Sequence, residues 1–277
     1  MSFVTHFLPR RRLSRWIGYF MHWEGPRWWA EFSIQAFARL YNINLEEAEH
    51  PVSHYKSIGD FFVRRLKSGA RPLAESPVLH PADSVITQRG VIQNDTLIQA
   101  KGLVYNLKEF TEDPEAQKKW DGGYFLTYYL CPTAYHRVHS PVDGNITNVR
   151  YLPGDLWPVN EWSTTNIPEL FVKNERVVVE IESEFGPVAL VLVGATNVGF
   201  IELAFDESIK GNQTGPHILK HKRYEPEIPT HRGSEVGRFR MGSTVVMIYP
   251  KAFTEKYLAH LDKSTQVKVN TALVHGH

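Results

Sequence analysis

The chain has 277 residues, of which 42% are hydrophobic and 22% are charged, so it is long enough to bury the core of one large domain. Its formal net charge of +1 argues against a nucleic-acid partner, which requires a broadly basic surface. The single cysteine, Cys131, excludes an intrachain disulfide framework and a cysteine-rich zinc site.

The first part of the chain, residues 1–70, is predicted to be a helical region. Apolar residues recur at the spacing of one helix face over residues 13–20 and again over residues 29–40. Asn44 and Ser57 are predicted helix N-caps. The second apolar face, a candidate for packing onto the core, carries Trp29, Phe32, Ala36, Phe37 and Leu40.

Tryptophan and arginine are concentrated near the N-terminus. Four of the seven tryptophans, Trp16 among them, lie in the first 29 residues together with five arginines. Tryptophan favours the lipid headgroup region and arginine is attracted to anionic lipid, so this segment fits an amphipathic helix in the membrane interface. Alternatively, the aromatic residues pack onto the core and the arginines are solvated. We expect no signal peptide and no membrane span, because the longest nearly uncharged stretch, residues 187–201, is shorter than about 20 residues.

Residues 71–277 are predicted to form a β-rich catalytic domain, which makes the fold α+β with a sandwich-like or barrel-like core. Short β-branched and aromatic runs alternate with glycine and proline, and they predict strands at 84–87, 96–100, 124–130, 145–152, 176–181, 188–193 and 243–248. Helices are expected near residues 112–120 and 251–261. The polar segment 210–233 is predicted to be a long loop that can fold over a site.

Ser243 directly follows Gly242 at the start of an apolar run. A serine hydroxyl can attack the carbonyl that precedes it, and glycine leaves that carbonyl unshielded. If a nearby base drives this attack, the chain cuts itself and Ser243 becomes an electrophile. The same residues are also typical of an ordinary strand start.

Three further residues could supply the acid and the imidazoles that such chemistry needs. His136 and His139 point to opposite faces if they lie on a strand, so they could serve two different steps. Asp83 could orient one imidazole, as the third member of a nucleophile, base and orienting group. Each also has a structural alternative: a buried hydrogen-bonded histidine, or an aspartate that caps its own turn. No metal site is expected.

The chain resembles the phosphatidylserine decarboxylases. The resemblance covers residues 55–248 and rests on an ordered set of motifs: Pro81-Ala82-Asp83, Gln99-Ala100-Lys101-Gly102, Tyr135-His136-Arg137-Val138-His139-Ser140-Pro141, Pro153-Gly154-Asp155-Leu156, Asn174-Glu175-Arg176, Phe185-Gly186-Pro187, Val193-Gly194-Ala195-Thr196-Asn197-Val198-Gly199, Gly237-Arg238-Phe239 and Gly242-Ser243-Thr244. Two positions depart from the family pattern: Met241 replaces a leucine and Ser84 replaces a glycine.

The resemblance implies a chemistry in two stages. His139, held by Asp83, would act as the base toward the Ser243 hydroxyl, which attacks the Gly242 carbonyl. Cleavage would leave a β chain (1–242) and an α chain (243–277) whose first residue is a covalent pyruvoyl group. That ketone is an electron sink for decarboxylation of phosphatidylserine to phosphatidylethanolamine, much as pyridoxal phosphate would be. His136 would return a proton to the substrate.

The expected partners follow from the same resemblance. They are phosphatidylserine, an anionic membrane surface, and the α and β chains as a heterodimer, with further dimerisation left open. The expected location is the cytoplasmic face of the inner membrane, as a peripheral protein. Leu156 and Trp157 would form an exposed apolar loop tip at the site mouth or in the bilayer, or else pack back onto the core.

Two other functions compete with the decarboxylase. A serine hydrolase could use Ser243, His139 and Asp83, although the Gly-x-Ser-x-Gly turn of such enzymes is absent and Ser243 leads into a strand. A non-catalytic lipid-binding β module would use the histidines only for structure.

Overall fold

The computed structural model describes residues 19, 21–100, 102–196, 200–209, 211, 218–240 and 243–275. In chain order its longer α-helices are α1 (Arg27–Leu40), α2 (Ile58–Phe62), α3 (Leu107–Thr111), α4 (Ala116–Trp120), α5 (Glu161–Asn166), α6 (Leu170–Lys173) and α7 (Lys251–Tyr257). Short 3-10 turns cover Leu45–Glu47, Val52–His54 and Leu258–His260. The strands are β1 (Ser84–Val91), β2 (Thr96–Ala100), β3 (Leu103–Asn106), β4 (Tyr124–Leu130), β5 (Arg137–His139), β6 (Gly144–Leu152), β7 (Arg176–Ser183), β8 (Gly186–Val193), β9 (Ile201–Leu203), β10 (Lys220–Thr230), β11 (Glu235–Phe239), β12 (Ser243–Tyr249) and β13 (Gln266–Val267).

The N-terminal helices form a small apolar cluster of their own. Both predicted caps are present: the Asn44 side chain accepts a hydrogen bond from the Glu46 amide, and the Ser57 side chain accepts one from the Asp60 amide. Ile34 and Phe61 are fully buried in this cluster. Trp16 lies outside the described residues.

The buried face of α1 matches the predicted one only in part: Phe37 packs against the cluster and Trp29 is half-buried, whereas the other three predicted residues are exposed. Helix α1 turns its smaller apolar residues inward, namely Ala30, Ile34 and Ala38. Three larger apolar side chains stay in solvent, with Trp28 69%, Phe32 61% and Leu40 77% exposed. Helices pack most closely through small residues, so the bulky side chains are left on the outside. Within the described ranges, no helix combines the length and the apolar character that a bilayer crossing needs.

An eight-stranded antiparallel sheet forms the body of the protein, with the strand order β10-β6-β7-β8-β12-β4-β1-β13. The middle of the sheet is buried: residues 188–193 of β8 and 244–249 of β12 are all inaccessible to solvent. Strands that are covered on both faces appear in a sequence as continuous apolar runs, which is why they were predictable. The α+β class is confirmed, with a large antiparallel sheet and N-terminal helices.

One sequence prediction about this sheet was wrong. Residues 220–230, expected within a loop, form the edge strand β10, which pairs with β6. Most of its side chains are exposed and polar, so it lacks the apolar alternation that marks a half-buried strand. A second, three-stranded sheet with the order β5-β11-β9 carries His139.

Candidate active site

The segment that contains Asp83 lies directly against the strand that contains His139. The His139 amide donates a 2.8 Å hydrogen bond to the Pro81 carbonyl, and the Leu79 amide donates a 2.9 Å bond to the Pro141 carbonyl. These backbone bonds join two motifs that are far apart in the sequence. They bring the predicted acid and the predicted base into one neighbourhood.

The Asp83 carboxylate is held by an arginine. Arg71 donates to it from Nε, at 3.0 and 3.1 Å to its two oxygens, and from Nη2 at 2.7 Å. The Val269 amide donates a further bond of 2.9 Å. No hydrogen bond joins Asp83 to His139 in the described part of the chain. Orientation of His139 by Asp83 therefore stays a prediction, although the Asp83 charge is close enough to raise the pKa of His139 against the larger effect of burial.

Arg71 links the active site to the N-terminal region. Its Nη2 also donates a 2.9 Å bond to Glu47, which lies in the first 3-10 turn. Burial lowers the pKa of Arg71, but hydrogen bonds to Asp83 and Glu47 outweigh it and raise the pKa above the ordinary value. Sequence reasoning missed both residues, because neither lies in a pattern that carries a recognisable chemistry. Their role depends on contacts between distant parts of the chain.

His139 has the hydrogen bonds of a neutral base. Its Nδ1 is 2.7 Å from the Gly233 carbonyl, and a carbonyl only accepts, so Nδ1 carries the hydrogen. Its Nε2 is 3.3 Å from the Tyr135 hydroxyl and is free to accept a proton. Burial lowers the pKa of His139, which favours the neutral ring. Gly233 has φ of +82°, a left-handed conformation in which glycine is strongly favoured.

His136 lies in a different environment from His139. It is fully buried, and its ring lies 3.9 Å from that of Phe62, measured between centroids. Its Nδ1 donates a 2.8 Å bond to the Ala134 carbonyl, whereas its Nε2 has no hydrogen-bond partner among the described residues. Burial lowers the pKa of His136 to about 3, so the ring is neutral at pH 7. The two histidines thus have separate surroundings, although only His139 lies on β5 and His136 precedes that strand.

Ser243 is the first residue of β12, in the interior of the main sheet. Its pairing partner in β4 is Leu130, and the next residue, Thr244, pairs with Val193 of β8. The Leu130 carbonyl is also near enough to His136 to raise the pKa of that ring, against the larger effect of burial. The ladder therefore brings Ser243 beside the segment that leads from Leu130 to His136. Gly242 lies outside the described residues.

Two cavities open next to the first residues of β12 and the end of β4. One has a volume of about 450 Å³ and is lined by Thr244 and Gln99 among others. The second has a volume of about 560 Å³ and contains Asp83. Val85 and Cys131 line both cavities, so the two adjoin on either side of these residues. Clefts of this size that contain titratable side chains are candidate binding sites for a small molecule.

The loop with Leu156 and Trp157 does not present the exposed tip that was one of its two interpretations. Leu156 is only 2% exposed, and Trp157 is partly buried against the main core. The buried Asn174 side chain fixes the loop, accepting from the Trp157 amide and donating to the Trp157 and Gly194 carbonyls. The packed interpretation is therefore the correct one for this structure.

The antiparallel sheet and the titratable residues beside its cavities define a candidate enzyme site, and comparison with known proteins identifies the family. The family model for phosphatidylserine decarboxylase matches residues 58–275. A phosphatidylserine decarboxylase proenzyme from Myxococcus xanthus is 41% identical over 254 residues, which are 91% of this chain and 90% of the relative. Another, from Aliivibrio fischeri, is 40% identical over 281 residues, covering 98% of this chain and 96% of the relative.

A third proenzyme of the same name, from Dechloromonas aromatica, is 43% identical over 221 residues, covering 79% of this chain and 78% of the relative. The chain belongs to the phosphatidylserine decarboxylase family and is an enzyme of the decarboxylase type. The resemblance inferred from the motifs is confirmed. Membership in this family also decides against the serine hydrolase and the non-catalytic lipid-binding module.

Proposed function

We propose that this protein decarboxylates phosphatidylserine to phosphatidylethanolamine and CO₂ after cutting itself between Gly242 and Ser243. Two observations support the proposal: Ser243 pairs with Leu130 at the start of β12, and Cys131, which follows Leu130, lines one cavity with Asp83, whose segment is hydrogen-bonded to that of His139. The proenzyme names of the relatives support a self-cleaving precursor.

In the first stage His139 would take the proton of the Ser243 hydroxyl. Its hydrogen bond to the Gly233 carbonyl leaves Nε2 unprotonated, and burial keeps the ring neutral, so it suits this task. The hydroxyl oxygen attacks the Gly242 carbonyl and converts the amide into an ester. Loss of the Ser243 α-proton expels the Gly242 carboxylate, and hydrolysis of the remaining residue releases ammonia and leaves the pyruvoyl group.

The two chains would remain together after this cut. Strand β12, which begins at Ser243, hydrogen-bonds on one side to β4 and on the other to β8. Both of these strands precede the cut in the sequence. Because β12 is buried between them, its release would expose the apolar centre of the sheet. This supports an αβ heterodimer as the working form.

The pyruvoyl group supplies a ketone that takes up the electron pair left behind when CO₂ departs. The surroundings of Ser243 suit such a group, since its pairing partner Leu130 lies near the buried His136 ring, whose Nε2 has no hydrogen-bond partner among the described side chains and backbone. His136 would hold the proton that returns to the substrate carbon. It must first acquire that proton, because burial keeps its pKa near 3 before substrate binds.

Peripheral binding to the cytoplasmic face of the inner membrane is part of the same proposal. Trp28, Phe32 and Leu40 form an exposed apolar surface on α1. Arginine residues are frequent in the sequence just before it, and they would contact anionic headgroups. A substrate that resides in the bilayer requires the enzyme to approach the membrane surface.

The intact mass of the purified protein tests self-cleavage. We expect two chains that correspond to residues 1–242 and 243–277, and a single uncut, inactive chain for Ser243→Ala. Ser183→Ala serves as the matched control, because that serine ends β7 and its hydroxyl bonds only within the turn to β8, donating to the Gly186 carbonyl and accepting from the Phe185 amide. A decarboxylating enzyme that remains one unbroken chain would overturn the proposal.

A further inference from the structure

Arg64 is a buried cation, and two of its guanidinium nitrogens have no acceptor among the described residues. It is only 5% exposed, and its Nε and Nη1 atoms contact no acceptor within the described part of the chain. Its guanidinium carbon lies 4.8 Å from the centre of the Phe61 ring. Burial lowers the pKa of Arg64, although the nearby Asp83 and Glu47 charges act in the opposite direction. An arginine fork with unmet donors is suited to an anion.

The carboxylates near Arg64 are engaged elsewhere. Asp83 and Glu47 both act on it electrostatically, but each is hydrogen-bonded to Arg71. All four of these side chains line the 560 Å³ cavity, together with Lys268. Three basic and two acidic side chains therefore face this space, and the positive charge is in excess. One bound anion would balance this excess charge.

The position of Arg64 is beside the proposed reaction centre. Phe62, two residues earlier in the chain, stacks on His136, and the charge of Arg64 also acts on His136. The same cavity is lined by Cys131, which follows the Leu130 that pairs with Ser243. An anion at Arg64 would thus be held next to the reacting end of β12.

We propose that Arg64 binds the phosphate of the phospholipid headgroup and so positions the substrate; this rests on the proposed function. Phosphatidylserine carries two anionic groups, a phosphate and a carboxylate. The carboxylate charge disappears as CO₂ leaves, so a strong ion pair with it would stabilise the ground state more than the transition state. The phosphate charge is the same before and after the reaction. A buried guanidinium can hold it throughout without opposing decarboxylation.

Binding of short-chain lipids to uncut protein tests this assignment without any catalysis. The full chain with Ser243→Ala is titrated with dihexanoyl phosphatidylserine, dihexanoyl phosphatidylethanolamine and inorganic phosphate, with and without Arg64→Gln. We expect Arg64→Gln to weaken both lipids about 10- to 100-fold, the range for loss of a charge-assisted hydrogen bond. Arg65→Gln is the matched control, because this neighbouring arginine is exposed, and it should leave both affinities unchanged.

The comparison of the two lipids identifies the bound group. A loss confined to the serine lipid would mean that Arg64 binds the carboxylate, and it would overturn the proposal. Lipid affinities that are equal with Arg64 and with Arg64→Gln would also overturn the proposal. Inorganic phosphate that binds as tightly as the lipids would make the site one for free phosphate and not for a headgroup, which also contradicts it.

Stability and processing separate this role from a structural one. Because Arg64→Gln removes an unpaired buried charge, its melting temperature should equal or exceed that of the parent. Arg64→Met, which keeps the packing on Phe61, repeats the test if the glutamine variant does not fold. In the Ser243 protein, Arg64→Gln should still cut itself, with a raised KM and little change in kcat. If Arg64→Gln abolishes self-cleavage and leaves the lipid affinities unchanged, the phosphate-binding role of Arg64 is refuted. If the parent protein with Ser243 does not cut itself, the proposed function is refuted instead.

Discussion

The buried imidazole of His136 should make the folded protein measurably less stable in mild acid. Burial lowers its pKa from 6.5 to about 3. In the unfolded chain the ring takes up a proton below pH 6.5, whereas in the folded chain it stays neutral, so the free energy of unfolding falls as the pH drops from 6.5 toward 3. Each pH unit in this window costs about 1.4 kcal/mol, which gives a loss of roughly 2 kcal/mol between pH 7.5 and pH 5.

Urea unfolding of the uncut Ser243→Ala protein at the two pH values measures this loss. The comparison is with a second protein that also carries His136→Asn, whose side-chain amide can still donate to the Ala134 carbonyl but does not titrate. His80, whose pKa burial lowers to about 4, contributes equally to both proteins and cancels. We expect the asparagine variant to lose about 2 kcal/mol less than its parent. Identical pH dependence in the two proteins would refute the reasoning.

Further expectations concern maturation, stability and membrane contact. The His136→Ala protein should cut itself but release no CO₂, whereas Asp83→Asn should slow the cut. Gel electrophoresis measures the cut and CO₂ release measures the decarboxylation. An active His136→Ala enzyme would exclude His136 as the proton donor. Arg71→Met should lower the free energy of unfolding by about 3 kcal/mol, because the buried Asp83 carboxylate loses its counterion; a change under about 1 kcal/mol in urea unfolding would contradict this. Replacing both Trp28 and Phe32 by serine should reduce sedimentation with anionic vesicles at an unchanged melting temperature, since both are exposed. Equal sedimentation would argue against α1 as a membrane contact.

The elements that the sequence predicted correctly are those whose signal is local. The strands β4, β8 and β12 are continuous apolar runs, and they bury those residues in the middle of the sheet. The capping residues before the first 3-10 turn and α2 also act on amides only two or three positions away. The missed strand β10 is an edge strand with mostly exposed side chains, and its pairing with β6 depends on a distant segment.

The face of α1 shows the limit of periodicity. Apolar residues cover most of this helix, so spacing alone could not decide which of them face the interior. Packing against the 3-10 turn at residues 52–54 and against α2 selected the small residues Ala30, Ile34 and Ala38. Trp28 and Phe32 remained exposed, whereas Phe37 packs against the N-terminal cluster.

The amino-acid order by itself was sufficient for the enzyme family and for the strands of the sheet centre, since each depends on residue type and local spacing within short motifs. It also supplied Asp83, His136, His139 and Ser243 as candidate site residues. The tertiary structure alone decided how these residues are partnered. It paired Asp83 with Arg71, fixed the His139 tautomer through Gly233 and left two guanidinium nitrogens of Arg64 without an acceptor in the described chain. Charges and hydrogen bonds act through space. The contacts that determine these partners join segments that lie far apart in the sequence, and residue order alone does not show that these segments come together.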